Sequence, residues 1–121
     1  MTADPNIIFV FGSNLAGVHG AGAAREAAVR WGAVLGKGLG LHGRSYAIPT
    51  KDERIQTMPV REIAPYVAEF ISFARANPQM SFLVTAIGCG LAGHKPEDIA
   101  PLFAGATENV FLSEKLVAAL R

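Results

Sequence analysis

Two glycine-rich segments constrain the fold of this chain most, because each directly follows an apolar run. Residues 12–24 follow the run 7–11, and residues 88–93 follow the mainly apolar run 81–87. Such runs, rich in β-branched and aromatic residues, are typical of strands that are covered on both faces. Alanines at helical spacing follow the first segment, and Pro96 with its acidic neighbours is typical of a first helical turn after the second. The sequence therefore predicts two strand–loop–helix units.

Between the two units, after the helix of the first unit, the pattern predicts a further strand and a second helix. The first helix lies within residues 20–35, and the strand spans 45–50. The second helix has a buried stripe from 63 to 74, with Pro65 in its first turn, where the missing N–H is tolerated. Residues 36–43 are too rich in glycine for regular structure.

A last strand is predicted at 109–112, and Ser113 is in position to cap a final helix. A chain of 121 residues is long enough for one hydrophobic core, so we predict a single domain, 1–121. Alternating strands and helices indicate an α/β fold with a mostly parallel central sheet. Such sheets bind ligands beyond the carboxyl ends of their strands, where both glycine segments lie.

Composition excludes several classes of partner. The chain carries 11 Lys and Arg against 10 Asp and Glu, with no basic cluster, so a nucleic-acid groove is not expected. No apolar run reaches ~18 residues, so no membrane span is expected. The N-terminus lacks the basic-then-apolar order of a secretion signal, which predicts a cytoplasmic location.

We also predict no metal and no cofactor. Cys89 is the single cysteine, and the histidines lack metal-ligand spacing. Gly20-Ala21-Gly22 is not followed by the third glycine of a dinucleotide-binding fingerprint. Gly36-Lys37-Gly38 lacks the hydroxyl of a Walker A loop. Backbone amides at the end of a strand and the start of a helix nevertheless suit a diphosphate.

Taken together, Gly-Ala-Gly-Ala at 20–23, Ile-Gly-Cys-Gly-Leu at 87–91 and the segment 44–52 resemble the macrodomain superfamily. The resemblance covers about residues 7–112 and is strongest to the branch of the terminal ADP-ribose protein glycohydrolases. Small macrodomain-like proteins of phages and prophages are similar too. The resemblance implies a three-layer α/β/α fold.

The resemblance also implies that ADP-ribose lies across the strand ends, with residues 20–24 near the distal ribose and 88–93 around the diphosphate. Macrodomains usually begin with further strands that carry an acidic residue for adenine, whereas this sequence starts at what resembles a later strand, so the resemblance leaves the mode of adenine recognition open. The expected ligand-binding residues are Gly12, Ser13, Asn14, Gly20, Ala21, Gly22, Ala23, Gly88, Cys89, Gly90, Leu91, Ala92 and Gly93.

The resembled branch uses a lysine after its middle strand and an aspartate directly after Gly-Cys-Gly-Leu. Lys51 matches the lysine, but Ala92 stands at the aspartate position. Alanine neither accepts a proton nor attacks a sugar carbon, so hydrolysis requires Asp52 or another carboxylate. For an enzyme, the candidate catalytic residues are Asn14, His19, Lys51 and Asp52.

Each candidate also has a structural interpretation. Asn14 either orients the ribose or closes an Asx turn. His19 is either a general base or a loop histidine that bonds a carbonyl. Lys51 and Asp52 either reach the site or belong to a solvated loop. Cys89 is better explained by tight packing between two glycines than as a nucleophile.

Three functions therefore stay open. The first is hydrolysis of an ADP-ribosyl linkage or sequestration of an ADP-ribose-type metabolite. The second is noncatalytic recognition of an ADP-ribosylated macromolecule, which Ala92 favours. The third is a protein-interaction module that keeps the fold without the ligand.

Overall fold

A computed structural model describes residues 4–90 and 92–121 of the chain. In chain order the elements are β1 (Ile7–Asn14), α1 (Gly22–Arg30), β2 (Gly40–His42), β3 (Ser45–Lys51), α2 (Val60–Ala76), β4 (Ser81–Val84), α3 (Pro96–Ile99), a 3₁₀ helix (Ala100–Phe103), β5 (Val110–Leu112) and α4 (Glu114–Ala119). The five strands form one sheet in the order β2-β3-β1-β4-β5. The pairs β1–β3, β1–β4 and β4–β5 are parallel, and only β2–β3 is antiparallel. The predicted α/β class with a mostly parallel sheet is confirmed.

The side chains of the central strand alternate between two apolar clusters, one on each face of the sheet. Phe9 and Phe11 pack with Ala27 of α1 and Ala47 of β3. The neighbouring residues Ile8 and Val10 belong to the larger cluster, which includes the buried face of α2. Because strand residues point alternately to opposite faces, one apolar run supplies both clusters. This explains why polar and apolar residues do not alternate along residues 7–11 of β1.

The first strand is longer than predicted. It continues through Gly12 to Asn14, and Ser13 and Asn14 are buried in it. The glycine was expected to end the strand, but pairing with β3 supplies partners for the backbone in this stretch. Backbone pairing does not depend on a side chain, so a single glycine does not stop it.

The glycine-rich stretch 36–43 was expected to be irregular, but part of it is an edge strand. Residues Gly40–His42 pair antiparallel with β3 and cover what would otherwise be its open edge. The helix before this stretch is shorter than predicted, because α1 ends at Arg30 and Gly32 follows with a φ of 81°. A glycine in this conformation is a common helix terminator.

Two further boundaries differ from prediction. Helix α2 begins at Val60, so Pro65 lies inside the helix rather than in its first turn. The strand predicted at 81–87 is β4, which ends at Val84 rather than Ile87, because the backbone turns after Thr85: the Ile87 N–H donates to the Thr85 carbonyl at 2.7 Å. The chain then leaves the sheet and enters the second glycine segment.

Ser113 does stand at the N-cap position of α4, as predicted, but its hydroxyl makes no capping bond and is buried without a partner. In residues 4–90 and 92–121, no helix is both long and apolar enough to cross a membrane.

Candidate functional site

A cavity of about 540 Å³ opens where β1, β3 and β4 end. It brings the two glycine segments together with the residues that follow β3. This is the edge at which parallel sheets bind ligands. Its walls are formed by Gly12, Ser13, Asn14, Val18, Gly20, Ala21, Gly22, Ala23, Ala24, Thr50, Lys51, Ile55, Thr85, Ala86, Ile87, Gly88, Gly90 and Ala92.

The start of α1 forms one wall and presents unused amide donors. Ala21 is the N-cap residue, and no side chain caps the helix. Among the described residues, the N–H groups of Gly22, Ala23 and Ala24 donate to no other group, whereas Arg25 N–H donates to Ala21 O at 3.2 Å. No acidic residue stands in the first turn. Free amides and the positive end of the helix dipole together favour an anion here.

Local hydrogen bonds hold the first glycine segment in shape. Asn14 Nδ2 donates to the Val18 carbonyl at 2.9 Å, and Val18 N–H donates to Asn14 Oδ1 at 3.0 Å. The Ser13 hydroxyl donates to the Gly38 carbonyl. Gly17 approaches the backbone of Gly36 so closely that a Cβ at position 17 would overlap it. The segment therefore curls over the end of β1 as a defined loop.

The second glycine segment forms the facing wall. His94 N–H donates to the Gly88 carbonyl at 2.7 Å, and Gly93 N–H donates to the Gly90 carbonyl at 3.0 Å. The His94 ring also engages, through Nε2, the Met58 carbonyl at 2.7 Å. Gly12 lies so close to Gly88 that a Cβ at position 12 would be 3.3 Å from its nitrogen. The absence of a side chain at Gly12 therefore lets the end of β1 approach the second glycine segment closely.

A turn after β3 forms the third wall. Lys51 and Thr57 pair across the turn, and Lys51 and Ile55 line the cavity. The Thr57 hydroxyl donates to the Ala92 carbonyl at 2.9 Å, which joins the turn to the second glycine segment. Because the Leu15 N–H also donates to the Lys51 carbonyl at 3.0 Å, the turn is hydrogen-bonded to both glycine segments.

Lys51 is the only charged residue among the described residues that line the cavity. The described residues give its ammonium no hydrogen bond or ion pair. None of them contributes a carboxylate to the lining. The described lining therefore combines one cation with backbone amides, groups that favour an anion. It offers no carboxylate that could act as an acid or a base.

The four candidate catalytic residues are not brought together in this cavity. Asn14 and Lys51 line it, but both polar atoms of the Asn14 side chain are engaged by Val18. Asp52 instead accepts hydrogen bonds from the N–H groups of Arg54 and Gln56, at 2.9 and 3.0 Å. Asn14 therefore has a structural role, although its bonds reach Val18, four residues on, and are not those of the predicted Asx turn. The placement of Asp52 fits a polar loop.

His19 also lies outside the lining. It is 8% exposed, its Nε2 contacts the Val34 carbonyl at 3.0 Å, and its ring packs edge-on against Phe11. Because a carbonyl only accepts, Nε2 carries the proton, and Nδ1 is buried without a partner in the described structure. This placement matches the structural interpretation of a histidine that bonds a carbonyl.

Most expected ligand-binding residues line the cavity, with three exceptions. Gly93 lies outside the lining, and Leu91 lies outside the described residues. Cys89 lines a separate cavity of about 410 Å³ with Glu97 and Lys115. Burial raises the pKa of the Cys89 thiol, although the Lys115 ammonium opposes the shift. A raised pKa disfavours the thiolate, so the packing interpretation of Cys89 fits better than a nucleophile.

Sequence reasoning missed several residues of the cavity wall. Thr50 and Thr85 lie at or just after strand ends, a position that itself points to the ligand edge of a parallel sheet. Val18 lies inside the first glycine segment between Gly17 and His19, where an apolar residue carries no signal of contact with a ligand. Ile55 carries no sequence signal, because its placement depends on the backbone of the turn.

In the described part of the chain, no group of three or more His, Cys, Asp or Glu side chains is arranged to hold a metal ion. Comparison of the chain with protein-family models, with curated proteins and with solved structures finds no match.

Proposed function

We propose that the protein binds ADP-ribose or a related ADP-ribosyl nucleotide in the cavity between its two glycine segments, without hydrolysing it. The observation that carries the proposal is the convergence of the uncapped start of α1 and the glycine segment 88–93 on one cavity that contains Lys51. The free amides of one wall and the close-approaching glycine backbone of the other suit a diphosphate, which carries two anionic groups.

The size of the cavity supports a ligand larger than phosphate. Its volume of about 540 Å³ falls within the ~300–1,000 Å³ that is typical of small-molecule sites. Much of the wall is apolar, from Val18, Ile55 and Ile87 among others, whereas the amides and Lys51 supply the polar contacts. A diphosphate with sugar and base attached has this mixed character.

The absence of a carboxylate among the described lining residues favours binding over hydrolysis. Hydrolysis of a glycosidic or ester linkage needs a group that activates water or protonates the leaving group. Ala92 lines the cavity at the position where the resembled glycohydrolases have an aspartate, and Asp52 is engaged within its own turn. We therefore propose a noncatalytic reader or sequesterer of ADP-ribose, and we propose a three-layer macrodomain-like fold for it.

Calorimetric titration with ADP-ribose tests the proposal, with AMP and NAD as comparison ligands. We expect micromolar affinity for ADP-ribose and weaker binding of AMP. No binding of ADP-ribose up to millimolar concentration would contradict the proposal. Release of ADP-ribose from an ADP-ribosylated protein at catalytic protein concentrations would contradict the noncatalytic part of it.

A variant at the start of α1 tests where the anion binds. Ala21→Asp places a carboxylate at the N-cap, a residue type that stabilises helices at this position but repels a phosphate. We expect ADP-ribose affinity to fall at least about tenfold while the thermal stability holds or rises. Ala104→Asp, at an exposed position outside the cavity, controls for the change in net charge.

A further inference from the structure

Ile55 adopts a backbone conformation that β-branched residues avoid. Its φ is 60°, and it is the only non-glycine residue with a positive φ among residues 4–90 and 92–121. In this region Cβ crowds the neighbouring carbonyl oxygen, so a β-branched residue here is an outlier. Something in the surrounding turn must hold it there.

Four hydrogen bonds of the turn define this conformation. Ile55 N–H donates to the Asp52 carbonyl at 3.0 Å, and Asp52 N–H donates to the Gln56 carbonyl at 2.9 Å. The Asp52 carboxylate also accepts from the N–H groups of Arg54 and Gln56. The pattern is a short hairpin loop that ends in a left-handed residue, a position at which glycine is the usual choice.

The Ile55 side chain does not recover the strain by packing in the core. It is 44% exposed, it is not part of either apolar cluster, and it lines the candidate cavity. Thr57 at the end of this turn pairs with Lys51 at its start, and the Thr57 hydroxyl donates to the Ala92 carbonyl on the facing loop. The hydrogen-bonded turn therefore holds an exposed apolar side chain in the cavity wall, to which Lys51, the one charged residue of the described lining, also belongs.

We propose that Ile55 is a specificity-determining residue whose side chain packs against the ring of a sugar or base attached to the bound phosphates. This inference rests on the proposed nucleotide-binding function. It narrows the ligand class to phosphate esters that carry a ring with an apolar face, and it assigns to the turn at 51–57 two roles. Lys51 contacts the anion, and Ile55 covers the ring.

The test is calorimetric titration of ADP-ribose at several temperatures into the parent protein and three variants. Ile55→Gly removes the side chain and fits the observed backbone. Ile55→Val keeps a β-branched apolar group. Leu83→Ala is the matched control, because Leu83 is 41% exposed and lies outside the cavity. Thermal unfolding of each variant is measured alongside.

We expect Ile55→Gly to weaken ADP-ribose binding about tenfold without lowering Tm, because glycine relieves the strain while the apolar contact is lost. The heat-capacity change of binding becomes less negative, which reports the lost apolar burial. Ile55→Val stays within about threefold of the parent, and Leu83→Ala leaves the affinity unchanged.

Two results would overturn the inference while the proposed function stands. The first is parent-like affinity and heat-capacity change in Ile55→Gly. The second is a Tm of Ile55→Gly several degrees below the parent, which would show that the side chain is held for folding. If the parent itself does not bind ADP-ribose, the proposed function and this inference fall together.

Discussion

The Asn14 side chain and the Val18 backbone bond each other in both directions, at 2.9 and 3.0 Å, across the first glycine segment. Asn14 is buried at the end of β1, whereas Val18 is exposed on the cavity wall. The pair therefore fixes the loop relative to the end of β1, together with the packing of Gly17 on Gly36. The side-chain amide of Asn14 therefore stabilises the shape of the loop rather than binding a ligand.

Asn14→Ala should lower the free energy of unfolding by about 1–3 kcal/mol, since two hydrogen bonds are lost and one partner is partly buried. Asn14→Asp retains the acceptor for Val18 N–H but faces the Val18 carbonyl with a second oxygen, so we expect a loss of similar size. Urea unfolding measures both. Parent-like stability of Asn14→Ala would show that the loop does not depend on this pair.

Gly38 packs so tightly on β1 that a side chain there cannot be accommodated. A Cβ at position 38 would overlap the Asn14 carbonyl oxygen, and the Gly38 carbonyl accepts from the Ser13 hydroxyl. We expect Gly38→Ala to lose about 3 kcal/mol or more of unfolding free energy. Gly105→Ala is the matched control, because its Cβ meets open space, and it should change stability by less than about 1 kcal/mol. Equal stability of the two variants would contradict the packing.

The placement of the glycine segments at one edge of the sheet could be predicted, because apolar runs followed by glycine mark the ends of parallel strands. The burial of both faces of β1 could also be predicted, since consecutive strand residues such as Ile8 and Phe9 point to opposite faces of the sheet and both are apolar. What sequence reasoning could not show is which polar side chains turn inward. His19 and Asp52 sit beside cavity residues in the chain, yet hydrogen bonds to backbone groups turn both away.

Two other features could not be predicted from the sequence: the pairing of the edge strand β2 and the strained backbone of Ile55. Strand β2 forms in a glycine-rich stretch because the backbone of β3 offers partners, and no side-chain pattern reports this. The left-handed conformation of Ile55 follows from the bonds that Asp52 makes across the turn. Because β-branched residues avoid a positive φ, the residue preference at position 55 predicts against the turn that the structure shows.

Tyr46 makes stability depend on pH in the alkaline range. Its ring packs against Phe70 and Phe73, and burial, with a smaller contribution from Glu69, raises its pKa from 10.0 to about 12. Because the folded pKa is the higher one, this contribution is fully present below pH 10 and is lost as the pH rises toward 12. The unfolding free energy of the parent should fall more steeply above pH 10 than that of Tyr46→Phe.

Urea unfolding at several pH values measures this difference. Tyr66→Phe leaves Tyr46 as the only tyrosine, so absorbance at the tyrosinate wavelength then follows Tyr46 alone. Ionisation of Tyr46 at its ordinary pKa in this variant, or identical pH profiles of the parent and Tyr46→Phe, would refute the assignment.

The Thr57 hydroxyl, which donates to the Ala92 carbonyl at 2.9 Å, is exposed, so its effect on stability should be small. Thr57→Val keeps the shape and removes the donor, whereas Thr57→Ser keeps the donor. We expect Thr57→Val to weaken ADP-ribose binding about threefold, since the turn and the second glycine segment are no longer joined. Thr57→Ser should bind like the parent. Equal binding by all three proteins would mean that this bond does not organise the cavity.

Lys51 should affect ligand binding without affecting the fold. Its ammonium has no hydrogen bond or ion pair among the described residues, so Lys51→Gln should leave Tm within about 2 °C of the parent. Loss of the only charged group in the described lining should weaken ADP-ribose binding about tenfold, and the loss should shrink as salt is raised because screening weakens the parent. Lys115→Gln changes the net charge equally but faces the separate cavity beside Cys89, so its affinity should match the parent. If the two glutamine variants bind alike, the anion does not lie beside Lys51.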